Sequence, residues 1–430
     1  MKYYCIGIKG AGMSTLAQIL FDLGNEVIGY DDVVDYKFTE EGLQKRNIKI
    51  YHDNEHILDK DTIVTYSAAF DENHKEIQRL KQMGYQFKKY HEILGELTAM
   101  FKTISVCGTH GKTTTSTLIS HILHDKCNYF IGDGSGYASK ENNIFVIESC
   151  EYNRHFLAYH PTISVLTNIE LEHTEVYADI NEIIKTFEEF VNKSEIIIAC
   201  GDDENIRKIK TDKKIYYYGF NDNNDIYAKN VELSSNGASF DVYYNNEFYG
   251  HFEIPLFGRH MVLNALASIM ISIIFNVSKD EVHEQLKTFK NAKRRFCEEK
   301  YGNNVIIDDY AHHPTELKVT LQAARQKYPD KQLIAIFKPN TYSRTKDFKQ
   351  DFIDVLNMAD KAYVTPIDCN REKQSDYPGI TSDSIIEGLN NGEIITEDTT
   401  NKLKQYDNAV LCFMSCASVA HLIENYKNQD

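Results

Sequence analysis

No stretch of the 430-residue chain approaches the ~18 consecutive apolar residues a bilayer crossing needs, which excludes a transmembrane helix. Met1-Lys2 runs straight into a strand-like segment, with neither an apolar leader core nor a small-residue cleavage site, so no secretory leader is expected. No Cys-x-x-Cys pair occurs among the nine scattered cysteines, which removes a disulfide framework or a zinc ribbon from consideration. Cys412 and Cys416, four apart, are too few for a metal site, and reduced thiols in a cytoplasmic protein are expected. Positive charge is in deficit, 47 Lys and Arg against 63 Asp and Glu, and the net −16 argues against a nucleic-acid partner, whose phosphate backbone it would repel. It leaves a nucleotide substrate open, because local lysines and Mg²⁺ offset the global field. Tryptophan is absent and tyrosine abundant, and no function follows from either. There is no internal repeat and no low-complexity tract.

What is present is an α/β chain long enough for two or three domains. Strands are expected at Tyr3 to Ile8, Val27 to Tyr30, Ile48 to Tyr51, Thr62 to Tyr66 and Gln86 to Lys88, with a helix over Ser14 to Leu23. Strands alternating with helices imply a parallel sheet. A second α/β unit runs from about Met100 to Ala292. Its strands are expected at Ile104 to Cys107, Ile144 to Ile147, Ile163 to Leu166, Glu195 to Cys200 and Ile215 to Tyr218. Ser239 to Tyr244 and Glu247 to Ile254 form a hairpin turning at Asn245-Asn246, and Leu263 to Phe275 is a buried helix. A third unit starts near Lys293, with strands at Asn304 to Asp309, Gln332 to Phe337, Lys361 to Thr365 and Ala409 to Phe413. The expected domains are 1–98, 99–292 and 293–430: Rossmann-like, P-loop ATPase-like and again Rossmann-like.

The segment Thr103 to Ser116 carries the strongest chemistry. A strand meets Gly108-Thr109-His110-Gly111, then Lys112, Thr113 and Thr114 open a helix. Such a glycine loop lets backbone N–H groups converge on phosphate oxygens, and the helix N-terminus adds positive potential. Lys112 would reach β/γ-phosphates and the Thr113 hydroxyl would hold Mg²⁺. The loop is shorter than the usual one, with two residues between Gly108 and Gly111 instead of four. Glu148 ends a buried strand, where Mg²⁺ needs a hard oxygen ligand; Glu151, a short turn later, is an alternative helix-start acid.

Other clusters gain meaning from company. Gly7, Gly10 and Gly12, with Lys9, Met13 and Ser14 and then Asp31 at the next strand end, form a Rossmann-like diphosphate site that need not hold NAD. Lys9 would assist an anionic group. His173 follows a buried strand and suits a second metal or the transferred phosphate. Asn264 offers both donor and acceptor to an adenine edge. Arg294 and Arg295 are basic in an acidic chain and suit phosphate. Asp308 to Glu316 crowds two acids, Tyr310, His312 and His313 at one strand end, and Ser343 and Arg344 follow another.

In this order the pieces resemble the Mur ligase family. The Gly108 to Thr114 loop is similar to that family's shortened phosphate loop, and Asp309 to Pro314 to its Asp-Tyr-Ala-His-x-Pro motif. Gly7 to Ser14, Gly258 to Ala265, Lys293 to Phe296 and Tyr342 to Thr345 match further family segments, so the resemblance runs from residue 5 to about 345. It implies an ATP-dependent amide ligase of peptidoglycan precursor synthesis. Such an enzyme joins L-alanine to the lactyl carboxylate of UDP-N-acetylmuramate through an acyl phosphate, as a monomer or weak homodimer with no membrane partner. By resemblance, Thr113 and Glu148 hold one Mg²⁺ and His173 a second. Asn264, Arg295 and Asp309 contact ATP with the Gly108 to Thr114 loop. Gly7 to Ser14 and Asp31 surround the uridine diphosphate. Tyr310, His313 and Arg344 lie at the reacting groups. Departures are Lys9 for a common glycine, Met261 for an Asn, Glu172 for an Asp, Cys150 to His155 for an acidic run, and Met414 to Ser418 for a glycine-containing turn. The alternatives are a murein-peptide recycling ligase adding a tripeptide to the same nucleotide, a degenerate nucleotide-binding paralogue, a P-loop motor and an NAD-linked oxidoreductase.

Overall fold

The computed structural model describes residues 1–67, 69–174, 176–369 and 372–428. They form three sheets in two compact units. One unit comprises Met1–Tyr227, Val242–Tyr249 and Leu263–Gln285; the other comprises Ala228–Asp241, Gly250–Val262 and the chain from Leu286 onward.

In the first unit, β1 (Lys2–Ile6), α1 (Ala11–Asp22), β2 (Glu26–Tyr30), α2 (Glu41–Lys45), β3 (Lys49–Tyr51), β4 (Thr62–Tyr66), α3 (Lys75–Gln82) and β5 (Gln86–Phe87) build a parallel sheet in the order β3-β2-β1-β4-β5. The order reverses at β1, the place where a doubly wound sheet opens a crevice at its carboxyl edge. α1 begins at Ala11, three residues before the expected start, because its first turn is Ala-Gly-Met rather than an apolar stripe. Tyr4, Ile6, Val64, Ile77 and Leu80 fill the core beneath.

After α4 (Tyr90–Met100) comes the second sheet. Its elements are β6 (Lys102–Cys107), α5 (Lys112–Leu123), β7 (Cys127–Ile131), β8 (Ser135–Tyr137), β9 (Ile144–Glu148), β10 (Ile163–Leu166), α6 (Ile180–Val191), β11 (Ile196–Cys200) and β12 (Lys214–Gly219). The strand order is β12-β11-β10-β6-β9-β7-β8, parallel except for the β7-β8 hairpin. Val106 pairs with Glu148 and Cys107 with Leu166, so the loops after β6, β9 and β10 leave the sheet at one level. β13 (Ile226–Ser234), β14 (Gly237–Tyr244) and β15 (Glu247–Ile254) follow at the edge of β12. The β14-β15 turn is at Asn245-Asn246, both with positive φ, as a two-residue turn requires. α7 (Arg259–Ile274) and α8 (Lys279–Thr288) come next.

In the second unit, β16 (Cys297–Tyr301), β17 (Asn304–Asp309), α9 (Pro314–Lys327), β18 (Gln332–Phe337), α10 (Tyr342–Asp347), α11 (Lys349–Leu356), β19 (Lys361–Val364), α12 (Asp383–Ile386), β20 (Gly392–Ile394), β21 (Ala409–Met414) and α13 (Ala420–Asn428) form the third sheet. Its order is β16-β17-β21-β18-β19-β20, parallel except β16-β17. β21 is buried along its whole length between β17 and β18, which explains its continuous apolar run. Among the described residues no helix is long and apolar enough to cross a membrane, and all nine cysteines are unlinked.

Candidate active site

The turn after β6 is a constrained loop. Gly108 has φ +132°, and a Cβ there would lie 2.1 Å from Thr167 Oγ1 and 3.0 Å from the Asn168 backbone. Gly111, at φ +81°, is the N-cap of α5, and the helix starts with no side-chain cap. The loop is tied to the segment after β10. The Thr109 amide donates to the Asn168 carbonyl at 3.0 Å, the His110 amide to Asn168 Oδ1 at 2.8 Å, and the Glu170 amide to Thr109 Oγ1 at 2.8 Å. The Thr167 hydroxyl donates to the His110 carbonyl at 2.6 Å. Thr113 and Thr114 are buried in the first turn of α5, and Asn264 Oδ1 lies 3.2 Å from where a Gly111 Cβ would be.

Lys112 Nζ curls back over this loop. It donates to the Gly108 carbonyl at 2.5 Å, to the Thr109 carbonyl at 2.9 Å and to Glu151 Oε2 at 3.0 Å. Burial opposes its charge, but the Glu151 carboxylate and the acidic groups around it raise the lysine pKa above its ordinary value. Glu151 is 1% exposed. Its backbone carbonyl accepts from the Tyr177 hydroxyl at 2.6 Å, and His173 Nε2 lies 3.7 Å from its Oε1. The chain after Glu151 turns through Asn153 and Arg154 in left-handed conformation. Phe156 then anchors it, stacked on Phe190 at 4.3 Å and edge-on to Phe187 at 5.5 Å, both on α6. Emptying such a ring site costs about 3–5 kcal/mol.

Glu148 stands at the end of β9, where Oε2 accepts the Gly132 amide at 2.9 Å. A Cβ on Gly132 would come within 2.5 Å of that oxygen and push the carboxylate aside. His173 sits at φ +56° with Tyr152 edge-on at 5.0 Å. This sheet edge therefore gathers a lysine, two carboxylates, an imidazole and threonine hydroxyls around a backbone cradle. Oxygen donors beside an uncapped helix start fit a magnesium–triphosphate, with Thr113 and Glu148 the residues that could hold the metal.

The front loop after β1 is also built tightly. Gly7 has φ +75° and its amide donates to the Tyr30 carbonyl at 2.7 Å. Gly10 caps α1 without a side-chain bond, while Met13 and Ser14 are buried, the Ser14 hydroxyl donating to the Thr39 carbonyl at 2.6 Å. Asp31 accepts the Lys9 amide at 2.9 Å and the Val33 amide at 3.1 Å, so the carboxylate shapes the loop. The Lys9 ammonium is 1% exposed, 2.9 Å from Glu40 Oε1 and bonded to the Val34 and Asp35 carbonyls. Its charge is spent on the 34–40 segment, and only its backbone belongs to the loop.

In the second unit, Asp309 is buried and its carboxylate accepts the Phe296 amide at 2.7 Å and the Ala311 amide at 2.8 Å. Burial raises its pKa. Tyr310 carries the Arg295 guanidinium 4.9 Å and that of Arg294 5.5 Å from its ring centre. His313 is the N-cap of α9 and packs edge-on to Phe348 at 4.7 Å. Arg344, in α10, bonds Asn340 Oδ1 at 2.9 Å. The turn after β21 is gripped by Arg294. That side chain donates to the Ser415 carbonyl at 2.8 Å and the Ala417 carbonyl at 2.9 Å, and pairs with Asp308 at 3.2 Å.

Sequence reasoning missed Asn168 and Thr167 as braces of the Gly108 to Gly111 loop, and gave Glu151 second place behind Glu148. A second carboxylate three residues after a strand-end acid was the available signal. Glu372, which accepts the Tyr342 amide at 2.6 Å at the start of α10, carries no local pattern.

The fold comprises three α/β sheets, with a glycine-loop helix start at the carboxyl edge of the second. Three family models cover most of the chain: Mur ligase family, catalytic domain, over 2–102; Mur ligase middle domain over 106–272; and Mur ligase, glutamate ligase domain, over 294–415. The chain belongs to the Mur ligase family, ATP-dependent ligases of peptidoglycan synthesis. Among solved structures it is similar to the UDP-N-acetylmuramate-alanine ligase MurC of Thermotoga maritima, at 24% identity over 99% of this chain and 98% of that one, TM-score 0.82. It is also similar to the murein peptide ligase of Psychrobacter arcticus, at 21% identity over 100% and 99%, TM-score 0.74. The MurF ligase of Thermotoga maritima, in complex with ADP, matches at 17% identity over 88% and 96%, TM-score 0.67.

Proposed function

We propose that this chain ligates L-alanine to the lactyl carboxylate of UDP-N-acetylmuramate at the expense of ATP. The observation that carries the reading is the Gly108 to Lys112 loop facing Glu148, Glu151 and His173 at one sheet edge. A carboxylate is a poor electrophile because its oxygen is a poor leaving group. Attack of a lactyl oxygen on the γ-phosphorus of ATP expels ADP and makes an acyl phosphate. The alanine amine then adds to the carbonyl carbon, loses a proton, and phosphate leaves as the amide forms. Lys112 turns from Glu151 to the transferred phosphoryl group and offsets its developing charge. Magnesium, one ion held by Thr113 and Glu148 and a second by His173, would supply Lewis acidity to the phosphoryl oxygens.

Gly108, Thr109, His110, Gly111 and Thr114 cradle the phosphates, while Asn264, Arg295 and Asp309 serve the ATP. Gly7, Lys9, Gly10, Gly12, Met13, Ser14 and Asp31 form the uridine diphosphate site, Lys9 through its amide. Tyr310, His313 and Arg344 act on the reacting groups. In this reading 1–98 binds the sugar nucleotide, 99–292 binds ATP and 293–430 completes the ligase.

Phosphate release from Mg·ATP and UDP-N-acetylmuramate, compared with L-alanine, with L-Ala-γ-D-Glu-meso-diaminopimelate and with no acceptor, tests the reading. Release that depends on L-alanine supports it. The full-length likeness to a murein peptide ligase keeps one second reading open, and release only with the tripeptide would establish that instead.

A further inference from the structure

The segments after β18 and β19 leave the third sheet at one level, because Phe337 pairs with Val364 in parallel register. The second segment straps the first. The Asp368 amide donates to the Pro339 carbonyl at 3.0 Å, and the Lys338 ammonium meets Asp368 Oδ2 at 2.8 Å. Tyr377 stacks on Tyr342, ring centres 5.9 Å apart and 15° from parallel. Between these ties stands Glu372, half-buried. Its Oε2 accepts the Tyr342 amide at 2.6 Å and the Ser343 amide at 3.1 Å, and the Ser343 hydroxyl donates to Oε1. One carboxylate therefore fixes two successive residues of another segment through three bonds.

Those residues need an outside anchor. α10 is six residues long, too short to hold its shape alone, and Thr341 before it makes no side-chain cap. The residue after Ser343 is Arg344, whose Nη1 donates to Asn340 Oδ1 at 2.9 Å, so the guanidinium lies over the strapped 338–344 segment. A guanidinium is a rigid planar fork, and what it can grip depends on the direction of the backbone that carries it. We propose that Glu372 is a positioning residue for the ligation: by fixing Tyr342 and Ser343 it aims the Arg344 guanidinium at the reacting groups. The inference rests on the ligase reading of Arg344 and adds to it a residue that acts through Arg344 rather than on a reactant.

The test is phosphate release by the full chain from Mg·ATP and UDP-N-acetylmuramate, with whichever acceptor drives release in the wild type, L-alanine or L-Ala-γ-D-Glu-meso-diaminopimelate. Glu372→Ala should lower kcat by about 10- to 100-fold, the order for a misplaced group at a reacting centre. Mg·ATP affinity by calorimetry should stay within about two-fold, which also shows the variant to be folded. Glu372→Gln keeps an oxygen for both amides and turns its carboxamide N–H to Ser343 Oγ, so kcat should return to within about three-fold of wild type. In an Arg344→Lys background, Glu372→Ala should cost less than about two-fold more, because a flexible ammonium does not depend on that aim. Unchanged kcat in Glu372→Ala overturns the proposal. A full further loss in the Arg344→Lys background also overturns it, since Glu372 would then act apart from Arg344. Glu372→Gln as poor as Glu372→Ala overturns it too, as the charge and not the anchoring would matter. Each of these leaves the ligase reading intact. A wild type that releases phosphate with neither acceptor removes the ligase reading itself, and this proposal with it.

Discussion

Lys112 Nζ and Glu151 Oε2 lie 3.0 Å apart, the carboxylate sealed at 1% exposure. The pair holds Lys112 on the Gly108 to Gly111 loop, where Nζ also meets the Gly108 and Thr109 carbonyls. Removing only the cation leaves a buried carboxylate behind. Lys112→Met should therefore destabilise the protein by about 3–5 kcal/mol, besides abolishing turnover. Lys112→Met with Glu151→Met should recover most of that stability and none of the activity. Urea unfolding of the two variants decides it; a single variant as stable as wild type would mean the pair is not closed in solution.

Gly108→Ala should abolish ATP binding. The new Cβ meets Thr167 Oγ1 at 2.1 Å and Asn168 backbone at 3.0 Å, in a φ of +132°. Gly84→Ala is the control, with positive φ but nothing within 4 Å, and should cost only the backbone strain of about 1–2 kcal/mol. Nucleotide titration of both separates cradle from strain, and normal ATP affinity in Gly108→Ala would contradict the cradle.

A pH dependence follows from His155, stacked on His91 at 4.5 Å and 16°. Burial, then His91 and Lys89, lowers its pKa to about 4. The folded state thus resists a proton that the unfolded chain accepts near pH 6.5. Stability from this group is whole above about pH 6.5 and is lost as pH falls toward 4, by about 1–3 kcal/mol. His155→Phe keeps the stack and should flatten that slope relative to wild type in urea melts at pH 4.5 and 7.5. An unaltered slope would mean that His155 titrates normally in the fold.

Much of this was legible in advance because it is local. The Gly-Thr-His-Gly-Lys-Thr loop, the Asn245-Asn246 turn and the parallel strands each announce themselves within a few residues. β7-β8, β13, β16 and β20 escaped notice, being short or polar: β16 reads Cys-Glu-Glu-Lys-Tyr and exposes most of its residues at a sheet edge. The helix at Arg259 starts earlier than its apolar stripe suggested. Long-range partnerships were invisible. Nothing near Lys9 says that Glu40 will take its ammonium, and nothing near Lys112 ranks Glu151 above Glu148.

The same holds for Arg294. Its guanidinium binds the Ser415 and Ala417 carbonyls in the turn after β21. A lysine cannot reproduce that planar fork. Arg294→Lys should speed amide hydrogen exchange at residues 415–418 by ten-fold or more, about 1.4 kcal/mol of local opening, and lower kcat. Unchanged exchange there would show that the turn holds without the arginine.

The central claim is that a carboxylate is activated by phosphoryl transfer from ATP. UDP-N-acetylmuramate carrying oxygen-18 in its lactyl carboxylate, turned over with Mg·ATP and L-alanine, tests it directly by mass spectrometry of the released phosphate. One labelled oxygen per phosphate is the predicted result. Phosphate without label, or label appearing in AMP, would contradict the account.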